Sequence, residues 1–181
     1  MKDNELLIKI EEYKTLRDEI LKCFGWILQI QLGVFASTAL IFAYLFTIKD
    51  INEYSFLVPL SAIVPAYFIN QDLLYTIYRI SAYINVHLSE FKWEVRIHNF
   101  RKLSFKNQLL QFKKLTYFDI NSLFYRSLAI TCVLLFLFQK SCTLGKAVLS
   151  LFLIYASIKI FKPIDFHIKR DDMIKEWIKI K

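Results

Sequence analysis

Residues 24–48, FGWILQIQLGVFASTALIFAYLFTI, contain no Asp, Glu, Lys or Arg. As a helix rising about 1.5 Å per residue, this stretch is roughly 37 Å long, enough to cross a ~30 Å hydrocarbon core with some tilt. A chain that must bury such a run has few folds open to it. With 181 residues the length fits one domain, and at 56% hydrophobic the chain exceeds the about 45–50% of ordinary soluble domains. Three glycines and three prolines are too few to punctuate an all-β fold. The expected fold is all-α: an integral membrane protein with four transmembrane helices in two hairpins, plus long cytoplasmic helices.

The first element is predicted to begin before the apolar run. Residues 4–22 form an amphipathic pattern, with Leu6, Ile10, Tyr13, Leu16 and Ile20 at helical spacing and Glu5→Lys9 and Asp18→Lys22 as favourable i,i+4 pairs. No Gly or Pro interrupts it before Phe24. One helix of about 45 residues, roughly 65 Å long, is therefore expected, part stalk and part span. Inside the span, Gln29, Gly33 and Ser37 lie on one side, with Gly25, Ala36, Ala39 and Ala43 close by. Small residues let helices approach closely in lipid, so this stripe serves helix packing, a subunit contact or a pore lining.

A second span is expected over residues 54–71 after a short loop. Pro59 and Pro65 each lack a backbone donor and should kink it, as a gate or as a static bend. Residues 72–119 are then predicted to be a cytoplasmic helical region. Leu73, Ile77, Ile80, Ile84, Leu88, Phe91 and Val95 trace a heptad seam, whose natural complement is the stalk stripe or a neighbouring subunit. Two shorter apolar runs are assigned as spans 120–139 and 144–161. They reach full length only if Arg126 and Lys159 snorkel to the interface; a shallow re-entrant hairpin is the alternative. Residues 165–181 form an amphipathic tail, with Ile168, Met173, Ile174, Trp177 and Ile178 against Lys and Arg, suited to the inner membrane surface or to the helical bundle.

Orientation follows from charge. Of 24 Lys and Arg, only Lys49, Lys140 and Lys146 fall in the two hairpin loops. The positive-inside bias then places both termini and the central region in the cytoplasm. The same bias accounts for the net charge of +8, so no direct nucleic-acid binding is expected. The apolar run starts late and continues far past its small residues, which argues against a cleaved signal peptide.

Chemistry is sparse. No phosphate-binding loop, nucleophile elbow, zinc-binding HExxH or Cys-x-x-Cys is present. His87, His98 and His167 have no second His or Cys at i+3 or i+4, and Cys23, Cys132 and Cys142 have no ligand or disulfide spacing. No cofactor and no metal are expected. Ribonucleases of the HEPN type carry Arg, four to six residues, then His; seven residues separate Arg79 from His87 and one separates Arg96 from His98, so that activity is rejected. Glu90, Trp93, Glu94, Arg96 and His98, with Arg101, make a polar cluster that is either a solvated helical face or a docking or ligand-sensing surface.

Glu12-Tyr13-Lys14-Thr15-Leu16-Arg17-Asp18-Glu19-Ile20, followed by Asn70, Asp72, Ile77, Ile80, Tyr83, Ile84 and Trp93-Glu94, resembles a broad set of small bacterial four-helix membrane proteins. Those carry an N-terminal EYxxLRxEI helix. The resemblance covers roughly residues 5–95; the last two spans match it in hydropathy alone. Some members look like membrane components of antiphage systems, including membrane accessory proteins of RNA-targeting CRISPR loci. It implies no catalytic residues. The resulting expectation is a non-enzymatic, homo-oligomeric inner-membrane effector that forms a pore or perturbs the bilayer. The alternatives are an anchor or sensor tethering a cytoplasmic defence protein, and a structural membrane protein without regulated conductance.

Overall fold

The computed structural model describes residues 2–48, 51–88, 117–138, 144–161 and 166–180. Among them the chain is helical, without strands: α1 is Lys2–Thr47, a 3-10 helix spans Glu53–Leu57, α2 is Leu60–His87, α3 is Tyr117–Phe138, α4 is Leu144–Ile160 and α5 is Phe166–Ile180. The expected stalk and first span are one uninterrupted helix of 46 residues. Among the described residues three helices are long and apolar enough to cross a membrane, Asn4–Thr47, Glu53–His87 and Asn121–Phe138. At 17 residues α4 is shorter than these, so the third and fourth expected spans are not equivalent.

The chain divides into two compact units, with α1 and α2 contributing to both. The first holds Met1–Ile27, Asp72–Lys114 and Asp165–Lys181. Here part of the predicted seam packs within the chain: Ile80, Ile84 and Leu88 are buried against Tyr13, Leu16 and Ile20 of the stalk, while Phe91 and Val95 lie outside the described residues. Each such side chain, removed from water, contributes about 1.5–3 kcal/mol, far more than the exposed Glu5–Lys9 pair at 3.6 Å. The register differs at one end. Leu73, placed in the seam by strict heptad counting, is half-buried, whereas Leu74 is buried. A straight helix of 3.6 residues per turn drifts off a 3.5-residue repeat, which shifts the inward position by one.

Tyr83 joins three helices of this unit. Its hydroxyl donates to Glu12 Oε1 at 2.6 Å, its ring stacks on His87 at 4.7 Å, and Trp177 of α5 packs edge-on against both rings, at 5.1 and 5.8 Å. With Met173 buried as well, the tail lies against the bundle, one of its two expected positions. Ile178 and Ile180 stay exposed.

The second unit holds Leu28–Gln71 and Leu115–Ile164. The expected span 54–71 is in fact two elements. Asn52 accepts from Tyr54 N–H at 3.2 Å and caps the 3-10 helix. Phe56 from that helix is driven into a core with Leu45 of α1 and Phe136 of α3, touching the Phe46 ring at 5.7 Å. Pro59 therefore does not kink a helix. It precedes α2, and its carbonyl accepts from the Ala62 and Ile63 amides at 3.0 Å, so its missing N–H would have been an orphan in any case. Only Pro65 lies inside α2. The larger core packs Val34, Ile63, Ala66, Tyr67, Tyr125, Ala129, Cys132 and Phe161. Cys23 and Cys132 are free and buried, as small interfacial or core residues would be.

Candidate functional site

The residues singled out as packing or pore-facing do not converge. Gln29 and Gly33 are exposed, Ser37 is half-buried, Pro59 is buried and Pro65 is exposed. A Cβ added at Gly25 or Gly33 would meet nothing within 4 Å, so the close approach those glycines permit is not used inside the chain. The Ser37 hydroxyl turns back to the Val34 carbonyl at 3.1 Å. Glu90, Trp93, Glu94, Arg96 and His98, like Cys142, lie outside the described residues.

What the fold does bring together is a layer of amides and hydroxyls in the second unit. Gln31 of α1, not Gln29, faces the core: its Nε2 donates to Asn121 Oδ1 at 2.6 Å. One residue along a helix is a turn of about 100°, which separates the exposed Gln from the bonded one. Four residues after Asn121, the Tyr125 hydroxyl accepts from Asn70 Nδ2 at 2.7 Å. The Tyr125 ring also packs against Tyr67 and Phe161, at 5.7 and 6.4 Å.

On the same side of α3, the Ser122 hydroxyl and Arg126 Nη2 both donate to the Phe161 carbonyl, the latter at 2.9 Å. That carbonyl follows the last residue of α4, where backbone acceptors have no intrahelical donor and the helix dipole is negative. A guanidinium and a hydroxyl from the neighbouring helix thus cap α4. Arg126, expected to snorkel to the interface, is half-buried, and the helix end offers it an acceptor that α4 itself cannot satisfy.

The layer is only partly satisfied. Asn70 Oδ1, both polar atoms of Gln71, Asn121 Nδ2 and Arg126 Nε are buried without a partner among the described residues, and each such atom left unpaired costs about 1–3 kcal/mol. Its chemistry is that of binding and positioning: amides, hydroxyls and one cation.

A second polar contact marks the other end of α4. Lys146, counted as a loop residue from the sequence, lies in the first turn of α4, is buried, and is paired with Glu53 of the 3-10 helix. Its ammonium lies 5.8 Å from the Phe136 ring centroid. A cation at a helix N-terminus opposes the dipole; the carboxylate offsets that cost. Between the two polar ends the described interior is mostly apolar (Ile63, Ala129, Cys132 and Val133), with the buried hydroxyls of Thr38, Ser150 and Ser157 among it.

Lone Gln and Asn residues in apolar helices carry no periodic signal, so Gln31, Asn121, Ser122, Tyr125 and Glu53 were not legible as a group. One signal was available: an amide in a long apolar helix is costly and is normally paired across helices. Together these features define a protein that is all-helical among its described residues, with three helices there long and apolar enough to span a membrane. Compared with known proteins, the chain matches no family model, no curated protein and no solved structure.

Proposed function

We propose that the chain is a non-enzymatic membrane effector. Its four helices would insert as two hairpins into the bacterial inner membrane, with both termini cytoplasmic, and its subunits would associate through α1 to perturb or perforate the bilayer. One observation carries this reading. The apolar window of α1 is only 17% buried within the chain, against 39% for the windows of α2 and α3. The exposed side includes Gln29, Gly33, Ala36, Ala39 and Ala43, the residue types that let helices approach closely in lipid. Among the described residues the interior between the two polar ends is mostly apolar, which favours conduction between subunits over conduction through one.

The proposed setting, antiphage defence with a cytoplasmic defence protein as trigger, rests on the resemblance of residues 5–95. A second reading, an anchor for such a partner, is favoured by the packing of Ile80, Ile84 and Leu88 on the stalk within one chain, which uses that part of the seam without a neighbour. Conductance in planar bilayers, together with oligomeric mass in nanodiscs, separates them. Discrete conductance steps from a ring-sized oligomer support the effector. A silent bilayer with a monomer or dimer supports the anchor.

A further inference from the structure

The polar layer of the second unit holds more hydrogen-bonding capacity than its own side chains use. Among the described residues, nine buried side-chain polar atoms have no partner, and five of them lie on Asn70, Gln71, Asn121 and Arg126. Asn70 and Asn121 are fully buried and Gln71 is only 8% exposed, so bulk solvent does not serve their amides.

The bonds already made hold these groups at one level. Asn121 and Tyr125 are four residues apart on α3, about 5–6 Å between Cβ atoms. Each anchors one amide from another helix, Gln31 on Asn121 at 2.6 Å and Asn70 on Tyr125 at 2.7 Å. Arg126 follows Tyr125 and is fixed to the Phe161 carbonyl at 2.9 Å. On α2, Tyr67, Asn70, Gln71 and Leu74 form one buried stripe, at the spacing of a single helix face.

The chemistry of the unused atoms selects what can fill the layer. Asn121 Nδ2, Arg126 Nε and Gln71 Nε2 are donors, whereas Asn70 Oδ1 and Gln71 Oε1 are acceptors. An anion only accepts and would strand both oxygens. A metal cation would strand the donors. Water donates and accepts, and a buried water typically makes about three hydrogen bonds.

We propose that this layer is a hydration site, in which about two ordered waters bridge Asn70, Gln71, Asn121 and Arg126 between α2 and α3. The waters complete the bonding of amides that would otherwise be stranded, and they hydrate the guanidinium from inside the fold. The inference concerns the folded unit and stands whether or not subunits conduct.

The test is hydroxyl-radical labelling by X-ray pulses, which generate radicals from bound water, on the full chain in detergent with a radical scavenger in the bulk. Mass spectrometry reads the label on Tyr125 and Phe161, both fully buried beside the layer. The expected result is label on both in the wild type and several-fold less in Gln71→Met, with label on the equally buried Phe56 unchanged between the two. The thermal midpoint supplies a second sign. In a dry layer Gln71→Met removes two stranded atoms and raises the midpoint, whereas in a hydrated one it withdraws partners from the waters and lowers it. Unlabelled Tyr125 and Phe161 in the wild type, equal labelling in the variant, or a raised midpoint would each overturn the inference. So would loss of the label on adding chloride or phosphate, which would place an anion in the layer.

Discussion

Asn70 donates an amide hydrogen to the Tyr125 hydroxyl at 2.7 Å, and both side chains are fully buried. The bond ties α2 to α3 at the level where Gln31 reaches Asn121 from α1 and where α4 ends. Removing one partner leaves the other stranded, so Tyr125→Phe should cost about 1–2 kcal/mol. Asn70→Leu should cost a similar amount, and the double variant less than the sum. A double-mutant cycle on unfolding in detergent measures the coupling, for which side-chain bonds between membrane helices average about 0.6 kcal/mol and reach about 1.7. Strict additivity would mean that the contact carries no stabilisation.

The Arg126–Phe161 contact makes a more local prediction. Arg126→Met keeps much of the side-chain length and apolar stem but withdraws the donor from the end of α4. Fraying should follow in the last turn, with faster amide exchange at Lys159, Ile160 and Phe161 and little change around Ser150. Ser122→Ala should do the same to a smaller degree, because a hydroxyl bond is weaker than a charge-assisted one. Uniform acceleration along α4 would show instead that the cap stabilises the whole hairpin.

These two contacts mark the limit of what the residues alone disclose. The stalk, its continuation through residue 47 and the packing of Ile80, Ile84 and Leu88 on Tyr13, Leu16 and Ile20 were legible, because each is written as a run or a repeat within a few turns of helix. The pairing of Lys146 with Glu53 was not. Charge counting sorts Lys146 by its neighbours along the chain and is blind to a carboxylate on a different hairpin. Pro59 misled for a related reason: a proline six residues before another reads as a second kink, yet the same residue type is favoured at a helix start. Of the candidate site, the small-residue stripe was legible as a stripe, but the direction it faces is a tertiary fact.

Tyr83 should make the first unit sensitive to alkali. Its hydrogen bond to Glu12, with lesser contributions from burial and from the carboxylate charge, raises the phenol above its ordinary value. The folded state then holds the phenolic proton more tightly than the unfolded state, so the contribution is fully present below about pH 10 and is lost as pH rises through the folded value. Tyr83→Phe should abolish that part of the pH dependence, and Glu12→Gln should reduce it. Unfolding followed by near-ultraviolet circular dichroism across the alkaline range, in wild type and both variants, checks the sign.

Gly33 separates the effector from the anchor most directly. A methyl group there meets nothing within 4 Å inside the chain, and Ala is favoured over Gly in a helix interior by about 0.8–1 kcal/mol. For an isolated subunit, Gly33→Ala should therefore be neutral or stabilising, and Gly33→Leu should still fold. If α1 meets a neighbouring α1 along Gln29, Gly33 and Ala36, bulk at this position pushes the helices apart and removes the contact. The oligomer would then dissociate and conductance would be lost, while helicity and thermal midpoint in detergent hold. Ser37→Leu is the less clean companion, since Ser37 is half-buried and its hydroxyl is engaged with Val34. Retained oligomeric mass and conductance in Gly33→Leu would remove α1 from the subunit contact, and with it the observation on which the effector reading stands.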